Sequence, residues 1–405
     1  MQKYALVCCN NSLANFTSGY HAVVNTPLNN VGVDNELNSL PFFELLTLSD
    51  KVLSARPSIN VTSPCFNGIT DGPNSTTTTI DAIFTSQANN GVVGMGTQYI
   101  SVSADSSTLT PLQQSSWIIF IAHFFELESR GKEIYDIIAQ MYTCHQSNLA
   151  KSGSKNIAWT TYDVVNNAWT LRADNYLTTL VKDAGMKLVT SNTSQSTTYK
   201  NVKDFQQALS TVDFVIDDTP AANFKTDFVY ADWLNKAGLK PNNSASFIAL
   251  KQVYRTDNLI NKNGYSDFPV RGTARADLMI SDIIHMVYST YEPLYNMTWI
   301  RTFAQLNKPA FISNTSYPSC TDPVARISKT DVCSIGAFNP NSNSTNTPNQ
   351  STGYGVHKSL SAGAKAGIAV GVIAVVAGLA MFGIFKYRRR SSVPKEGTFV
   401  KMDDM

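Results

Sequence analysis

Thr110 to Ser152 reads TPLQQSSWIIFIAHFFELESRGKEIYDIIAQMYTCHQSNLAKS, and it decides how the rest of the chain is divided. Thr110 suits a helix N-cap, Pro111 the first helical position, and Gln113 the partner that completes a capping box. Trp117 to Phe125 is apolar nearly all round and is expected to be buried. A bend is expected near Ser129 to Gly131. Beyond it Ile134, Ile137, Ile138 and Met141 fall on one helical face, with Lys132, Glu133, Asp136 and Gln140 on the other. A long one-sided helix with α/β-like sequence on both sides reads as a strut between two lobes.

Working outward, the 405 residues have room for more than one domain, and only 15% are charged. The formal charge is +2, and the final twenty residues alone contribute six Lys/Arg against three Asp/Glu. The remainder is slightly acidic, which gives no basis for nucleic-acid binding. Ala366 to Phe385 is twenty residues without a charge, long enough to cross a bilayer as a helix. Lys386, Arg388, Arg389 and Arg390 follow at once, so the short tail is expected in the cytoplasm and everything before the span outside. This predicts a single-pass protein of the plasma membrane with an extracellular N-terminal region. Ten sequons agree with that topology, at Asn10, Asn15, Asn60, Asn74, Asn192, Asn242, Asn296, Asn314, Asn343 and Asn349. Six cysteines allow up to three disulfides there; Cys320 and Cys333 flank a short loop and are the expected pair, with partners for Cys8, Cys9, Cys65 and Cys144 left open. Tyr4 to Cys9 is too short for a signal-peptide core and reads as a first β-strand, so the native N-terminus is expected to precede Met1.

Along the chain, Val23 to Asn25 and Val31 to Val33 suggest further short strands, Leu40 to Leu53 an amphipathic helix leading into VLSA as a candidate strand, Ile80 to Ser86 a short helix, and Gly91 to Val102 strand-like alternation. After the strut come a strand (Asn156 to Thr160), a helix closed by Gly185, a strand (Lys187 to Val189) and a helix (Val202 to Leu209). The series continues with a strand (Val212 to Ile216), a helix (Phe228 to Ala237), a strand (Gln252 to Arg255) and a long helix (Ala274 to Tyr291). Alternating strands and helices predict an α/β fold with a parallel or mixed sheet covered on both faces. Asn339 to Tyr354 is low-complexity and reads as a glycosylated stalk. The expected organisation is a first α/β lobe over 1–113, a linking helix over 114–154 and a second α/β lobe over 155–333. A Ser/Thr/Asn-rich stalk over 334–365, a transmembrane helix over 366–385 and a cytoplasmic tail over 386–405 complete it.

Several stretches, in order, resemble the periplasmic binding proteins of the iron-siderophore and vitamin B12 type, from about Tyr4 to Arg301. These are PFFELLTLSDKVLSA, TPLQQSSWIIFIAHFFELESRGKEIYDII, NIAWTTYDVVNNAWTLRADNYLTTLVKDAGMKLV, DFQQALSTVDFVIDDT and VYRTDNLINKNGYSDFPVRGTARADLMISDIIHMVYSTYEP. The resemblance implies two three-layer α/β lobes joined by one long helix, with a ligand held in the cleft between them. It places Tyr162, Trp169, Arg172, Asp217, Asp218, Tyr254, Arg255, Arg271 and Arg275 near that cleft. Such an arginine and aromatic mixture suits an anionic or planar ligand, for example a ferric siderophore, corrinoid or metal chelate. The chain departs from the family in a short stretch between Gly91 and Thr110, and in carrying a C-terminal span where bacterial relatives carry an N-terminal lipid and feed an ABC importer. A membrane-anchored, eukaryotic cell-surface solute receptor is the expectation, with the transporter that would accept its cargo left unnamed.

Nothing in the sequence marks an enzyme: there is no GxSxG, HExxH, P-loop or GxGxxG, and no cofactor is implied. His123 and His145 lie roughly 33 Å apart along a continuous helix, too far to share a metal. His285 reads as a core histidine. The rival reading keeps the fold and drops the ligand, leaving a surface adhesion or structural glycoprotein.

Overall fold

The computed structural model describes residues 2–8, 19–72, 79–86, 97–153, 155–190, 196–220, 228–313, 319–321, 333 and 336–340. The span expected at Ala366–Phe385, the tail, most of the stalk and the sequons at Asn10, Asn15, Asn74, Asn192, Asn314, Asn343 and Asn349 lie outside these residues. No helix among the described residues is long and apolar enough to cross a membrane.

The chain opens with β1 (Tyr4–Val7) and β2 (Ala22–Asn25), a parallel pair. There follow β3 (Val31–Asp34), α1 (Leu40–Leu45), β4 (Val52–Arg56), β5 (Thr70–Asp71), β6 (Ala82–Thr85) and β7 (Gln98–Ser101). The last five strands form an all-parallel sheet in the order β5-β4-β3-β6-β7. Strand β6 is the segment expected as a short helix. All four of its residues are buried, and a short apolar run of this kind has no period that separates a buried strand from a helix. Likewise β7 fills part of the stretch that looked too short to complete this half. The helix expected over Leu40 to Leu53 ends after one and a half turns. Thr47 takes a left-handed conformation (φ 60°), and a single 3-10 turn over Ser49–Lys51 leads into β4. Val31, Val33, Phe84 and Ile100 pack with Phe42, Phe43, Phe124 and Phe125 into one apolar core.

The strut is three helices: α2 (Pro111–Ser115), α3 (Trp117–His123) and α4 (Glu128–Leu149). The capping box forms as expected, with Thr110 N–H donating to Gln113 Oε1 at 2.9 Å and Gln113 N–H to Thr110 Oγ1 at 3.4 Å. The bend falls at Phe124–Leu127, where Glu126 is left-handed (φ 58°), and not at Gly131. Gly131 sits inside α4 at the point of closest approach to α3. A Cβ there would lie 2.6 Å from Ala122 Cβ, so the glycine marks a contact and not a break. The linking helix expected over 114–154 is therefore interrupted twice, and its long one-sided part is α4.

The second half comprises β8 (Asn156–Asp163), β9 (Ala168–Leu171), α5 (Asn175–Asp183), β10 (Lys187–Leu188), β11 (Thr197–Tyr199), α6 (Val202–Ala208), β12 (Phe214–Asp217), α7 (Tyr230–Lys236), α8 (Ser246–Ala249), β13 (Val253–Arg255), β14 (Leu259–Ile260), α9 (Phe268–Arg271), α10 (Ala276–Val287), β15 (Arg301–Thr302) and β16 (Ala310–Phe311). A seven-stranded mixed sheet runs β11-β9-β8-β12-β13-β15, with β10 beside β8. Strands β10, β8, β12 and β13 are parallel; β9 pairs antiparallel with both β8 and the edge strand β11, and the edge strand β15 pairs antiparallel with β13. Strand alternation sorts the core into two layers. Ile157, Trp159, Phe214, Ile216 and Tyr254 pack with α4, α5 and α10, while Ala158, Val215 and Val253 pack with α6, α7 and α8.

The expected Cys320–Cys333 bridge does not form. Cys65 pairs with Cys320 and Cys144 with Cys333, across 255 and 189 residues. Among the described residues after β16, Cys320 lies against Cys65 of the first half and Cys333 against α4. Asn148 on α4 holds the chain there through Gly336 N–H (2.7 Å) and Phe338 N–H (2.9 Å), and that contact brings Cys333 to Cys144. At the sequon of Asn60, the asparagine is half-buried, and the hydroxyl of its threonine, Thr62, is buried and donates to Asp267 at 2.7 Å.

Candidate functional site

In each of the two large sheets the order of the parallel strands reverses at one point, and the crevice at the carboxyl ends there is where open α/β sheets receive ligands. In the first sheet the chain leaves β3 toward β4 and β5, then returns to β6 and β7 on the other side, so the reversal lies between β3 and β6. In the second, β8 has β10 on one side and β12 with β13 on the other, so it lies between β8 and β12.

At the first reversal, β3 runs into Asn35, left-handed at φ 55°, and then Glu36. Ser86 Oγ, just past β6, donates to the Asn35 carbonyl at 2.9 Å. Glu36 is 3% exposed, and its Oε1 is buried without a hydrogen-bond partner among the described residues. Burial, reinforced by the charge of Asp105, pushes its carboxyl up to about 8, against the pull of the Ala104 N–H. A buried acid with one oxygen unsatisfied is costly to the fold, and such groups concentrate at functional sites.

At the second reversal a closed ionic layer forms the floor. Asp217, fully buried, accepts from Thr160 Oγ1 (3.1 Å), Thr219 Oγ1 (2.8 Å), Trp233 Nε1 (3.3 Å) and the Arg255 guanidinium. Arg255 also donates to Asp257 (2.9 Å), which in turn accepts from Arg301 (2.6 Å). Two arginines thus meet two aspartates, and Phe228 and Phe303 flank the Arg255 guanidinium at 5.1 and 5.3 Å. Above that floor, Asp218 binds Trp159 Nε1 (3.0 Å) and Arg172. Arg172 reaches Asp174 as well (3.0 Å) and keeps 36% of its side chain exposed.

The loop after β7 joins the two clusters. Its Asp105 acts on Glu36, and two residues further the Ser107 and Thr108 carbonyls accept from the Asn175 backbone N–H (3.0 Å) and side chain (2.8 Å), at the start of the helix that Asp174 caps. Along the other side of the seam, Asn261 Nδ2 donates to the Ile59 and Val61 carbonyls (3.0 and 3.1 Å). Asp267 gathers Thr62, Arg271 (2.7 Å) and Trp299 Nε1 (2.8 Å).

Of the residues expected at the cleft, Arg172, Asp217, Asp218 and Arg255 do gather at the second reversal, and Arg172 is the half-exposed one. Arg271 lies at the seam but is held by Asp267, and Arg275 is buried against Asp277 at 2.7 and 2.9 Å. Tyr162 and Trp169 point away, into the α6–α7 layer, where Trp169 stacks on Phe205 at 4.7 Å and Tyr162 lies 4.9 Å from Trp169. Tyr254 packs on Phe214 in the opposite layer and bonds Gln252 at 2.6 Å. The hairpin formed by β8 and β9 accounts for Tyr162 and Trp169: it turns both inward on the same sheet face. Sequence reasoning missed Glu36 and Asp105; the one signal was an acidic residue two positions after the Val-Gly-Val-Asp strand.

His145 Nε2 lies 3.3 Å from Ser281 Oγ, with Nδ1 3.1 Å from Tyr291 OH, an arrangement that resembles a nucleophile and its base. Both His145 and Ser281 are buried between α4 and α10, and burial holds the imidazole down at about 4, so the group packs the helices together. Among the described residues no three His, Cys, Asp or Glu side chains gather as ligands for a metal ion.

No family model matches the sequence, and no curated protein matches it. Among solved structures the chain is similar in its α/β fold to periplasmic binding proteins. One, from Veillonella parvula, is 10% identical with a TM-score of 0.49, over 65% of this chain and 93% of that one. An ABC transporter substrate-binding protein from Listeria monocytogenes is 11% identical with a TM-score of 0.44, over 64% and 99%. A periplasmic heme-binding protein from Vibrio cholerae is 12% identical with a TM-score of 0.45, over 62% and 99%.

Proposed function

We propose that this protein is a cell-surface solute receptor that holds a small ligand at the seam where the carboxyl ends of the parallel strands of its two sheets meet. One observation carries the reading: both strand-order reversals present charged groups, Glu36 from one and Arg172 with Asp218 from the other, joined by the loop through Asp105 to Thr108. A buried carboxyl with an unsatisfied oxygen at a strand-order reversal calls for an explanation beyond packing, and a ligand group supplies one. The charge-free run Ala366–Phe385 with its Lys386, Arg388, Arg389 and Arg390 flank supports anchoring by one membrane helix, with the binding module outside and the tail in the cytoplasm. The ligand class is a metal chelate or corrinoid-sized molecule, and its hand-over would need a membrane transporter as partner.

A second reading, a ligand-free adhesion or structural glycoprotein, draws on a specific observation. The rings of Trp159, Phe268 and Trp299 pack in tilted pairs at 6.2 and 5.9 Å, and every buried arginine discussed above is already paired within the fold. Native mass spectrometry separates the two. The full chain, secreted behind a supplied signal peptide in a eukaryotic host and deglycosylated, should carry one small-molecule adduct as purified or after incubation with a ferric siderophore, haem or cobalamin. An unshifted mass under all these conditions would favour the ligand-free module.

A further inference from the structure

The charges at the seam are lopsided. In the floor and along the seam each guanidinium is matched by a carboxylate: Arg255 and Arg301 by Asp217 and Asp257, Arg271 by Asp267, Arg275 by Asp277. Arg172 is claimed twice, by Asp174 and Asp218. Glu36 and Asp105 have no ion-pair partner among the described residues, and Glu36 adds a buried oxygen with no hydrogen bond. An anionic solute would meet no unclaimed guanidinium there, since Arg56 at the end of β4 is bridged to Asp34 at 3.9 Å, and would face the buried carboxyl of Glu36 beside the exposed Asp105. A positive group would give the buried Glu36 oxygen a partner and lie beside the Asp105 carboxylate.

We propose that the solute held at this seam carries a cationic group, an ammonium or guanidinium, and that Glu36 and Asp105 receive it. The inference rests on the solute-receptor reading above and reverses the anionic preference that the arginine count in the sequence implies. Proton accounting follows from the environment of Glu36. Its carboxyl keeps a proton up to about pH 8 in the empty site and must give it up to pair with a cation, so binding releases one proton below that pH. The other titratable or charged groups on the elements around the site are Asp34 at the end of β3 with Arg56 at the end of β4 (3.9 Å apart), Asp105 on the loop after β7, and Arg172, Asp174, Tyr176 and Asp218 across the seam.

The test is a charge series on one scaffold: ferrioxamine B with its free terminal ammonium, its N-acetyl form (neutral) and its N-succinyl form (anionic). Each is titrated into the full chain in detergent and followed by quenching of tryptophan fluorescence. At pH 8 the ammonium form should bind at least about tenfold tighter than the acetyl form, and the succinyl form weakest. Between pH 8 and 6 the ammonium form should weaken by about tenfold per pH unit while the acetyl form stays level. Glu36→Gln should erase both the preference and the pH slope, with its fold verified by thermal unfolding. Equal or tighter binding of the succinyl form, or a preference that Glu36→Gln leaves intact, would overturn the cationic site and leave solute binding standing. Absence of binding by all three forms at millimolar concentration would remove both for this class of chelate.

Discussion

Replacing Glu36 with glutamine should make the folded module more stable at pH 8 and slightly less stable at pH 4.5. Glu36 is lifted from an ordinary 4.5 to about 8 in the fold, chiefly by burial. Between those values the native state holds a proton that the unfolded chain has lost. The stability this proton represents is therefore complete below about pH 4.5 and disappears as the pH rises through about 8. At roughly 1.4 kcal/mol per pH unit, the full window amounts to a ceiling of about 4–5 kcal/mol. Glutamine removes the titration while keeping the shape and the acceptor for the Ala104 N–H, but it leaves an amide N–H₂ where Oε1 now has no partner, at a cost of about 1 kcal/mol. The expected net is a gain of roughly 3 kcal/mol at pH 8 and a loss of about 1 kcal/mol at pH 4.5. Urea unfolding followed by tryptophan fluorescence at pH 4.5, 6, 7 and 8, at fixed ionic strength, gives the variant-minus-parent difference and cancels the other carboxylates. A difference that stays flat across these pH values would refute the reasoning, because it would mean that Glu36 is solvated or paired in the native protein.

Arg255→Met should cost about 3–5 kcal/mol in the same assay, since it leaves Asp217 and Asp257 buried with one guanidinium fewer; a loss under about 1 kcal/mol would contradict the closed ionic floor. Non-reducing peptide mapping should recover Cys65 joined to Cys320 and Cys144 joined to Cys333, whereas a Cys320–Cys333 peptide would restore the pairing that sequence proximity favoured. Glycopeptide analysis of protein from a eukaryotic host should find glycan at the exposed Asn242 and Asn296 and none at Asn60; a fully occupied Asn60 would mean that the Thr62–Asp267 contact does not form.

Much of the architecture was legible because it rests on local patterns. The capping box at Thr110, the one-sided face of Ile134 and Ile138, and the order of strands and helices after Asn156 follow from periodicity and from the residues that start and stop helices. Where the sequence misled, a tertiary contact had overridden a local signal. Gly131 looked like a breaker and is a contact point against Ala122; Ile80 to Ser86 looked helical and is a central strand; Cys320 and Cys333 are near neighbours in sequence and bond elsewhere. The site was legible in part. Asp217 and Arg255 sit at strand ends, where an α/β sheet puts its chemistry, but which way Tyr162 and Trp169 face depends on a hairpin that their spacing did not announce. Glu36 was invisible because a single acid after a strand is ordinary; only its burial and its unsatisfied oxygen set it apart.

The central claim is that one seam, reached from both sheets, receives the ligand. Hydrogen–deuterium exchange of the full chain with and without ferrioxamine B addresses it most directly. The account predicts protection confined to the backbone around Asn35 to Ser39, Ser103 to Leu109 and Arg172 to Tyr176. Protection elsewhere with these three segments unchanged, or no protection at saturating ligand, would contradict it.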